Sequence, residues 1–350
     1  MTPVAIAVVG AGLIGRKHIA ALGHSRVARL AAIVDPSSAA ADLAAQCGVP
    51  HVAALDDLAA AAAVEGVILA TPTALHLPQA MACIARGWPA LVEKPVAPTA
   101  AEGAQLAQAA AARGVPMLVG HHRRHNPRIA AAQAALSAGR LGRLVSVQAS
   151  VLLCKPDDYF APEWRRQAGA GPLLTNLIHE IDMMRHLLGE IASVQAVTSN
   201  AMRGFAVEDT AVALLEFACG ALGTVTVSDS AAAPWSWELT AAENPDYPPT
   251  GQTCMMIAGT QGSLEIPTLR LWHHGDGARS WYAPMLSETL PVVDEDPLIR
   301  QIDHFAAVIR GNAAPLVGVG DASRSVAVVD AIVRAAASGR REDLILGPTP

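Results

Sequence analysis

The stretch Val4–Leu22 constrains this chain more than any other. Val4–Val9 is a short apolar run rich in β-branched residues, the pattern of a strand buried in a parallel sheet. It runs into Gly10-Ala11-Gly12-Leu13-Ile14-Gly15, and an Ala- and Leu-rich segment with helical spacing follows. Strand, glycine turn and helix in that order are the context in which G-x-G-x-x-G reads as a dinucleotide-binding turn. Each glycine has its own reason. Gly10 makes the tight turn, Gly12 lets the backbone approach a pyrophosphate, and Gly15 lets the helix pack close to the strand. The N–H groups at the helix start, among them those of Leu13 and Ile14, then face the phosphates.

A second strand, Leu30–Val34, ends at Asp35, an acidic residue about 20 positions beyond the glycines, where adenosine ribose hydroxyls are usually held. Its charge repels a 2′-phosphate, and Pro36-Ser37-Ser38 offers no Arg or Lys to accept one. The expected cofactor is therefore NAD rather than NADP. A glycine turn with no ligand is the alternative that strand, helix and Asp35 argue against.

A chain of 350 residues is long enough for two domains with separate cores. Its formal charge of −6 argues against a nucleic-acid surface. No apolar run reaches the length of a membrane span, and the first residues lack the features of an export signal. The five cysteines are scattered without C-x-x-C spacing, which disfavours structural zinc and a disulfide framework. A cytoplasmic protein with reduced thiols is expected.

Through residue 122 strand and helix alternate, which predicts a parallel, doubly wound α/β sheet. Its strands end at Gly10–Gly15, Thr71-Pro72-Thr73, Glu93-Lys94-Pro95 and Gly120–Arg124, and ligands bind such sheets beyond those ends. From 123 to 350 runs of strands lack intervening helices, which predicts an α+β domain with a mostly antiparallel sheet. Leu55–Ala63 and Leu173–Leu188 read as helices, and Asp229–Gln252 as a long ordered loop.

Two segments suggest chemistry. Lys94 follows a core strand, where a cationic nicotinamide and a partly dry pocket would lower its pKa and suit it to proton transfer; Pro95 can fix its direction through a cis bond. The alternative is a solvated loop lysine. In the helix opened by Gly169-Ala170-Gly171, spacings of three and four group Asn176, His179, Asp182 and His186. His179 could serve as a general base, or pair with Asp182 as a buried brace. His121-His122-Arg123-Arg124-His125 has no carboxylate or Cys to complete a ligand set, so no metal is expected, and Arg123 or Arg124 is available to a substrate.

Together these residues resemble the Gfo/Idh/MocA oxidoreductases over nearly the whole chain. The likeness rests on the glycine turn followed by His18, Ala70-Thr71-Pro72-Thr73 with His76, Glu93-Lys94-Pro95, and the glycine-to-His179 helix. Gly259–Leu264 and Asp303-His304-Phe305 complete it. The resemblance implies a Rossmann domain, and a second domain whose open sheet forms a homodimer or homotetramer. It implies NAD(P)-dependent oxidation or reduction at a hydroxyl-bearing carbon of a small ring or sugar. It also implies that Lys94 and His179 are catalytic, with Thr71, Pro72, Thr73, His76 and Glu93 on the cofactor side. One departure stands out. Where many members have an Asp four residues before the histidine, this chain has Thr175, with Asn176 beside it.

Lys155–Phe160, Trp164-Arg165-Arg166 and Pro234–Glu238 resemble a branch that includes dehydrogenases for carboxylated cis-dihydrodiols. Arg165 or Arg166 would clamp a carboxylate in a fork, with Trp164 nearby and Trp235 and Trp237 as walls for a flat ring; salt bridges and packing are the alternative. A non-catalytic NAD-binding sensor is the rival from another class.

Overall fold

An all-parallel sheet must be covered on both faces by its crossover helices, and the strand Val4–Val9 (β1) is buried at every position. The computed structural model describes residues 2–275 and 277–345. Two units divide the chain: residues up to Asn126 with Glu295–Val326, and Pro127–Asp294 with the residues from Ala327 onward.

In the first unit β1 is followed by α1 (Leu13–His24), β2 (Ala28–Val34), α2 (Ser38–Cys47), β3 (His51–Val52), α3 (Leu58–Ala61), β4 (Gly66–Leu69), α4 (His76–Arg86), β5 (Ala90–Val92), α5 (Ala100–Arg113) and β6 (Met117–Val119). The sheet order is β3-β2-β1-β4-β5-β6, with parallel pairing throughout. This is the doubly wound order that reverses beside β1, where such sheets bind dinucleotides. The single helix expected over Leu55–Ala63 is a 3₁₀ turn at Leu55–Asp57 followed by the short α3. Leu55 and Leu58 are buried, but Ala59–Ala63 gain little burial, and helices this short need an apolar face more than propensity.

The second unit contains α6 (Pro127–Ser137), β7 (Leu144–Leu152), α7 (Ile178–Leu188), β8 (Ile191–Ser199), β9 (Thr210–Phe217), β10 (Leu222–Ser228), α8 (Trp237–Thr240), β11 (Met255–Gly259), β12 (Gly262–Ile266), β13 (Arg270–His273) and β14 (Leu286–Thr289). The long loop expected at 229–252 is irregular apart from α8, and buried Trp237 anchors it by donating to Glu243 at 2.8 Å.

The chain then supplies α9 (Pro297–Ile309) to the first unit, α10 (Val319–Ser338), and β15 (Glu342–Asp343). Ile302, Phe305 and Ala306 of α9 are buried in one core with Ile6, Val8, Ile19 and Leu22. A Cβ on Gly66 would come within 2.5 Å of Ile309, so α9 lies directly on β4. Residues 295–326 thus fold with the first unit, whereas the sequence pattern groups them with 123–350. An apolar stripe says that a helix is buried but not against what.

The second sheet runs β14-β13-β12-β11-β7-β10-β9-β8-β15, antiparallel except where β7 and β10 pair in parallel. Burial alternates along β9 and β10, so one face is covered and the other open.

Candidate active site

The glycine turn has the shape that its spacing predicts. Gly10 has φ +92°, and a Cβ there would lie 2.6 Å from the Ala70 carbonyl oxygen. A Cβ on Gly15 would collide with the Gly10 carbonyl, so helix and turn close on each other only through glycine. Around Gly12 nothing lies within 4 Å of a Cβ position. That open side faces the start of α1, whose first turn carries no acidic residue and whose leading N–H groups have no partner within the helix. Leu13 is exposed there, and Ile14 packs on the core. Asp35 is half-buried. Its Oδ2 accepts the Ala11 N–H at 2.8 Å, and its Oδ1 accepts the N–H and hydroxyl of Ser37 at 2.9 and 2.6 Å. Burial alone would raise its pKa, but these hydrogen bonds and the His51 charge outweigh it and hold the carboxyl below the usual carboxylate range. Helix start, open glycine and anionic Asp35 fit a dinucleotide: the turn would take the pyrophosphate and Asp35 the ribose hydroxyls.

Glu93 is 4% exposed and His18 is fully buried, with His18 Nε2 2.7 Å from Glu93 Oε1. The other carboxylate oxygen accepts the Lys94 N–H at 3.1 Å. Burial opposes the charge on Glu93, yet the His18 hydrogen bond and charge, with Lys94 and His122, hold its pKa down to about 2. A Cβ on Gly120 would lie 2.7 Å from Glu93 Oε1, so the carboxylate fills the space that this glycine leaves. The turn bearing half-buried Lys94 is therefore fastened from beneath, and the Lys94–Pro95 bond is cis.

His76 ties this turn to the preceding loop. Its Nδ1 lies 2.8 Å from the Pro95 carbonyl and its Nε2 2.9 Å from the Thr71 carbonyl. Burial holds the imidazole pKa below its ordinary value, although both carbonyls and Glu93 pull the other way. A neutral ring donates to one of the two carbonyls at a time. The Thr71 hydroxyl donates to Gln79 at 2.6 Å, Pro72 is exposed, and Thr73 begins a 3₁₀ turn. In the neighbouring run Arg123 is buried and Arg124 pairs with Asp321 at 2.6 Å. Among the described residues, no group of three or more His, Cys, Asp or Glu is placed to hold a metal ion.

In the second unit the helix expected over Leu173–Leu188 opens with a π turn, Leu173–Leu177, before α7. A π turn widens the coil, so spacings of three and four do not carry one face across it. Leu174, Thr175 and Asn176 are accordingly half-buried, whereas His179, Asp182 and nearly all of α7 are buried. Gly171 permits the entry, because a Cβ there would collide with the Glu208 carboxylate, which also accepts the Leu173 N–H at 3.2 Å. The Thr175 hydroxyl lies 2.9 Å from the Gly171 carbonyl and 3.0 Å from Asn176 Oδ1.

Past the ends of the parallel pair β7 and β10 stand Lys155 and Asp229. Lys155 Nζ lies 3.6 Å from Asp229 Oδ2, 3.4 Å from Thr175 Oγ1 and 4.9 Å from the centre of the Tyr159 ring. Arg203 donates through Nε to Asp229 Oδ1 at 2.9 Å and through Nη2 to the carbonyls of Lys155 and Asp229. Spacing gives no hint of this cluster, because strands distant in sequence bring it together; the charged residues just past each strand end are its only trace. Arg165 donates to the Tyr159 carbonyl at 2.6 Å and stacks over the Tyr159 ring at 4.1 Å. Trp164 and Trp235 are exposed.

Residues 4–121 match the family model described as "Oxidoreductase family, NAD-binding Rossmann fold", and residues 129–265 match the "GFO/IDH/MocA C-terminal domain". The chain belongs to the Gfo/Idh/MocA oxidoreductases. Among its relatives in that family is the "Rhizopine catabolism protein MocA" of Rhizobium meliloti, 27% identical over 95% of this chain and 94% of that one. "Inositol 2-dehydrogenase 1" of Saccharopolyspora erythraea is 32% identical over 64% of this chain and 67% of its own. The fold is shared with an oxidoreductase from Agrobacterium radiobacter, solved in complex with NAD+, L-tartaric acid and magnesium. The TM-score is 0.82 at 22% identity, covering 98% of each chain. This Gfo/Idh/MocA member is thus an oxidoreductase whose first unit is an NAD-binding Rossmann domain.

Proposed function

We propose that this protein is an NAD-dependent dehydrogenase that oxidises a hydroxyl-bearing carbon of a small cyclic polyol or sugar-like molecule, with Lys94 and His179 as its catalytic residues. The observation that carries the reading is the Lys94 turn, held by the buried Glu93–His18 pair in the same unit as a glycine turn open at Gly12. The names of the inositol dehydrogenase relatives support the polyol class.

Bound nicotinamide would supply the hydride acceptor. Lys94 would donate a hydrogen bond to the substrate oxygen and stabilise negative charge that develops on it. His179 would take the hydroxyl proton as the carbon–oxygen bond becomes a carbonyl. Asp35, held anionic, favours ribose hydroxyls over a 2′-phosphate and hence NAD over NADP. The dihydrodiol alternative rests on a free Arg165 fork and a tryptophan wall. Arg165 already serves the Tyr159 carbonyl, which weighs against a free fork, whereas Trp235 stays exposed.

Absorbance of reduced nicotinamide tests the reading, with NAD or NADP and a panel of inositols, aldoses, sugar acids and carboxylated cyclohexadiene cis-diols. NADH formation on cyclic polyols or sugars is expected, faster with NAD than with NADP. Tight cofactor binding without turnover on any compound would favour the sensor. Binding of neither cofactor would sink the reading of Gly10 to Asp35.

We also propose that two or four copies associate through the open face of the nine-stranded sheet. Leu214, Leu222 and Val197 stand there 52%, 61% and 72% exposed, with Met256 in the same rows. An exposed apolar patch of this kind marks an association surface. Leu214→Glu with Leu222→Glu is expected to yield monomers in light scattering at micromolar concentration. An unchanged mass would remove the sheet from the interface.

A further inference from the structure

We infer that Lys155 is a substrate-binding cation of the second unit, and that the preferred substrate carries a carboxylate. This rests on the dehydrogenase reading for the identity of the reaction, but not for the binding.

The Lys155 side chain is 10% exposed, and each of its polar contacts is long. Charge-assisted hydrogen bonds to a carboxylate run about 2.7–2.9 Å. Lys155 has 3.6 Å to Asp229 and 3.4 Å to the Thr175 hydroxyl, and its remaining neighbour is the Tyr159 ring face. Asp229 is also shared, since its Oδ1 accepts from Arg203 at 2.9 Å. Fully exposed Asp157 also reaches Arg203, but only at 3.7 Å, so among the described residues Asp229 is the one buried carboxylate paired with both cations. Glu238 acts on Lys155 only through its charge, without a hydrogen bond to it, and burial raises the pKa of Glu208. An ammonium buried with so little pairing is costly to keep. Burial lowers its pKa and Arg203 adds to that, while Asp229 and Glu238 oppose them.

A purely structural role does not account for this lysine. The Lys155 N–H already donates to the Asp229 carbonyl at 2.8 Å, and Arg203 bonds the carbonyls of both residues. The two strand ends are fastened without the ammonium. What the ammonium adds is donors: three N–H groups and no acceptor. Thr175 accepts from Lys155 and has its own proton to give to the Gly171 carbonyl or to Asn176 Oδ1. When Asn176 Oδ1 takes that proton, its amide N–H groups are left as further donors. A hydroxyl needs both a donor and an acceptor, whereas a carboxylate only accepts. Donors with an under-paired cation therefore select the carboxylate.

The test uses matched pairs: glucose with glucuronate, galactose with galacturonate, and an inositol with quinate. Each is titrated calorimetrically into the NADH-loaded protein and assayed for turnover with NAD. The acid of at least one pair is expected to bind about tenfold or more tightly than its neutral partner. Lys155→Met is expected to cut that preference at least about tenfold, and Lys155→Arg to keep most of it, with NADH affinity and melting temperature checking that both variants fold. Equal binding within every pair overturns the inference, as does a Lys155→Met variant that loses acid and neutral compound in equal proportion. Turnover confined to neutral polyols overturns it while leaving the dehydrogenase reading intact. Lys155-dependent binding of acids without turnover on any compound supports it and overturns the dehydrogenase reading instead.

Discussion

Lys94→Ala is expected to lower NADH formation by about 10³-fold and His179→Ala by about 10²–10⁴-fold, while each variant still binds NADH. The two residues are proposed to meet the same substrate hydroxyl in different ways. Lys94 would supply charge to the oxygen, a contribution that water replaces poorly. His179 would supply a proton acceptor, whose loss leaves water or buffer to do the same work less well. If, as proposed, both act on one oxygen in one step, the double variant should cost little more than the worse single variant. Additive losses would mean that the residues serve separate steps. The measurement is NADH formation on the best substrate, alongside NADH binding followed by fluorescence. A Lys94→Ala variant that keeps NADH formation within tenfold of the parent would remove Lys94 from the chemistry. One that loses cofactor binding altogether would make it a cofactor residue first.

The cofactor half of this site was legible in the sequence because its reasons are local. Gly10, Gly12 and Gly15 stand within one turn of chain, and a Cβ at the first or last meets backbone already fixed by the neighbouring strand. Asp35 reaches Ala11 because β1 and β2 pair directly. Where the pairing is distant, pattern fails. Lys155 and Asp229 meet because β7 and β10 pair in parallel, and no periodicity within either strand announces its neighbour. The π turn at Leu173–Leu177 was hidden for another reason: three of its five residues are leucines, good helix formers, and Glu208, which packs against Gly171 and accepts the Leu173 N–H, is distant in sequence. Helix α9 shows the same limit at the scale of a unit. Its apolar residues signal burial, and Asp296 with Pro297 signals its start, yet only the folded chain shows that they pack on β4 and α1.

Glu93→Ala is expected to destabilise the first unit by about 3–5 kcal/mol, the usual cost of removing one partner of a buried ion pair. The loss has three parts. His18 stays fully buried and loses the carboxylate 2.7 Å away, the Lys94 N–H loses its acceptor, and the space below Gly120 empties. At about 2–4 °C per kcal/mol, melting should fall by roughly 6–20 °C near neutral pH. A fall of under 2 °C would show that the pair contributes nothing net. Acid titration separates this pair from a second buried group. Glu93 has a folded pKa of about 2 against an ordinary 4.5, so its contribution is whole above pH 4.5 and fades as pH falls toward 2. His125 works in a higher window. Burial, then the like charges of His304, His122, Arg300 and Arg124, push its pKa down to about 3 from an ordinary 6.5. Neither ring nitrogen has a hydrogen-bond partner among the described residues, and the ring meets His304 edge-on at 5.2 Å. Below pH 6.5 the unfolded chain takes a proton that the folded one refuses, so stability erodes by up to about 1.4 kcal/mol per pH unit. His125→Phe keeps a ring against His304 and removes the titration. The parent should therefore lose melting temperature between pH 6.5 and 4.5 while His125→Phe stays flatter, and Glu93→Ala should run parallel to the parent at a lower level. If His125→Phe follows the parent's slope through that window, the proton uptake belongs to another group.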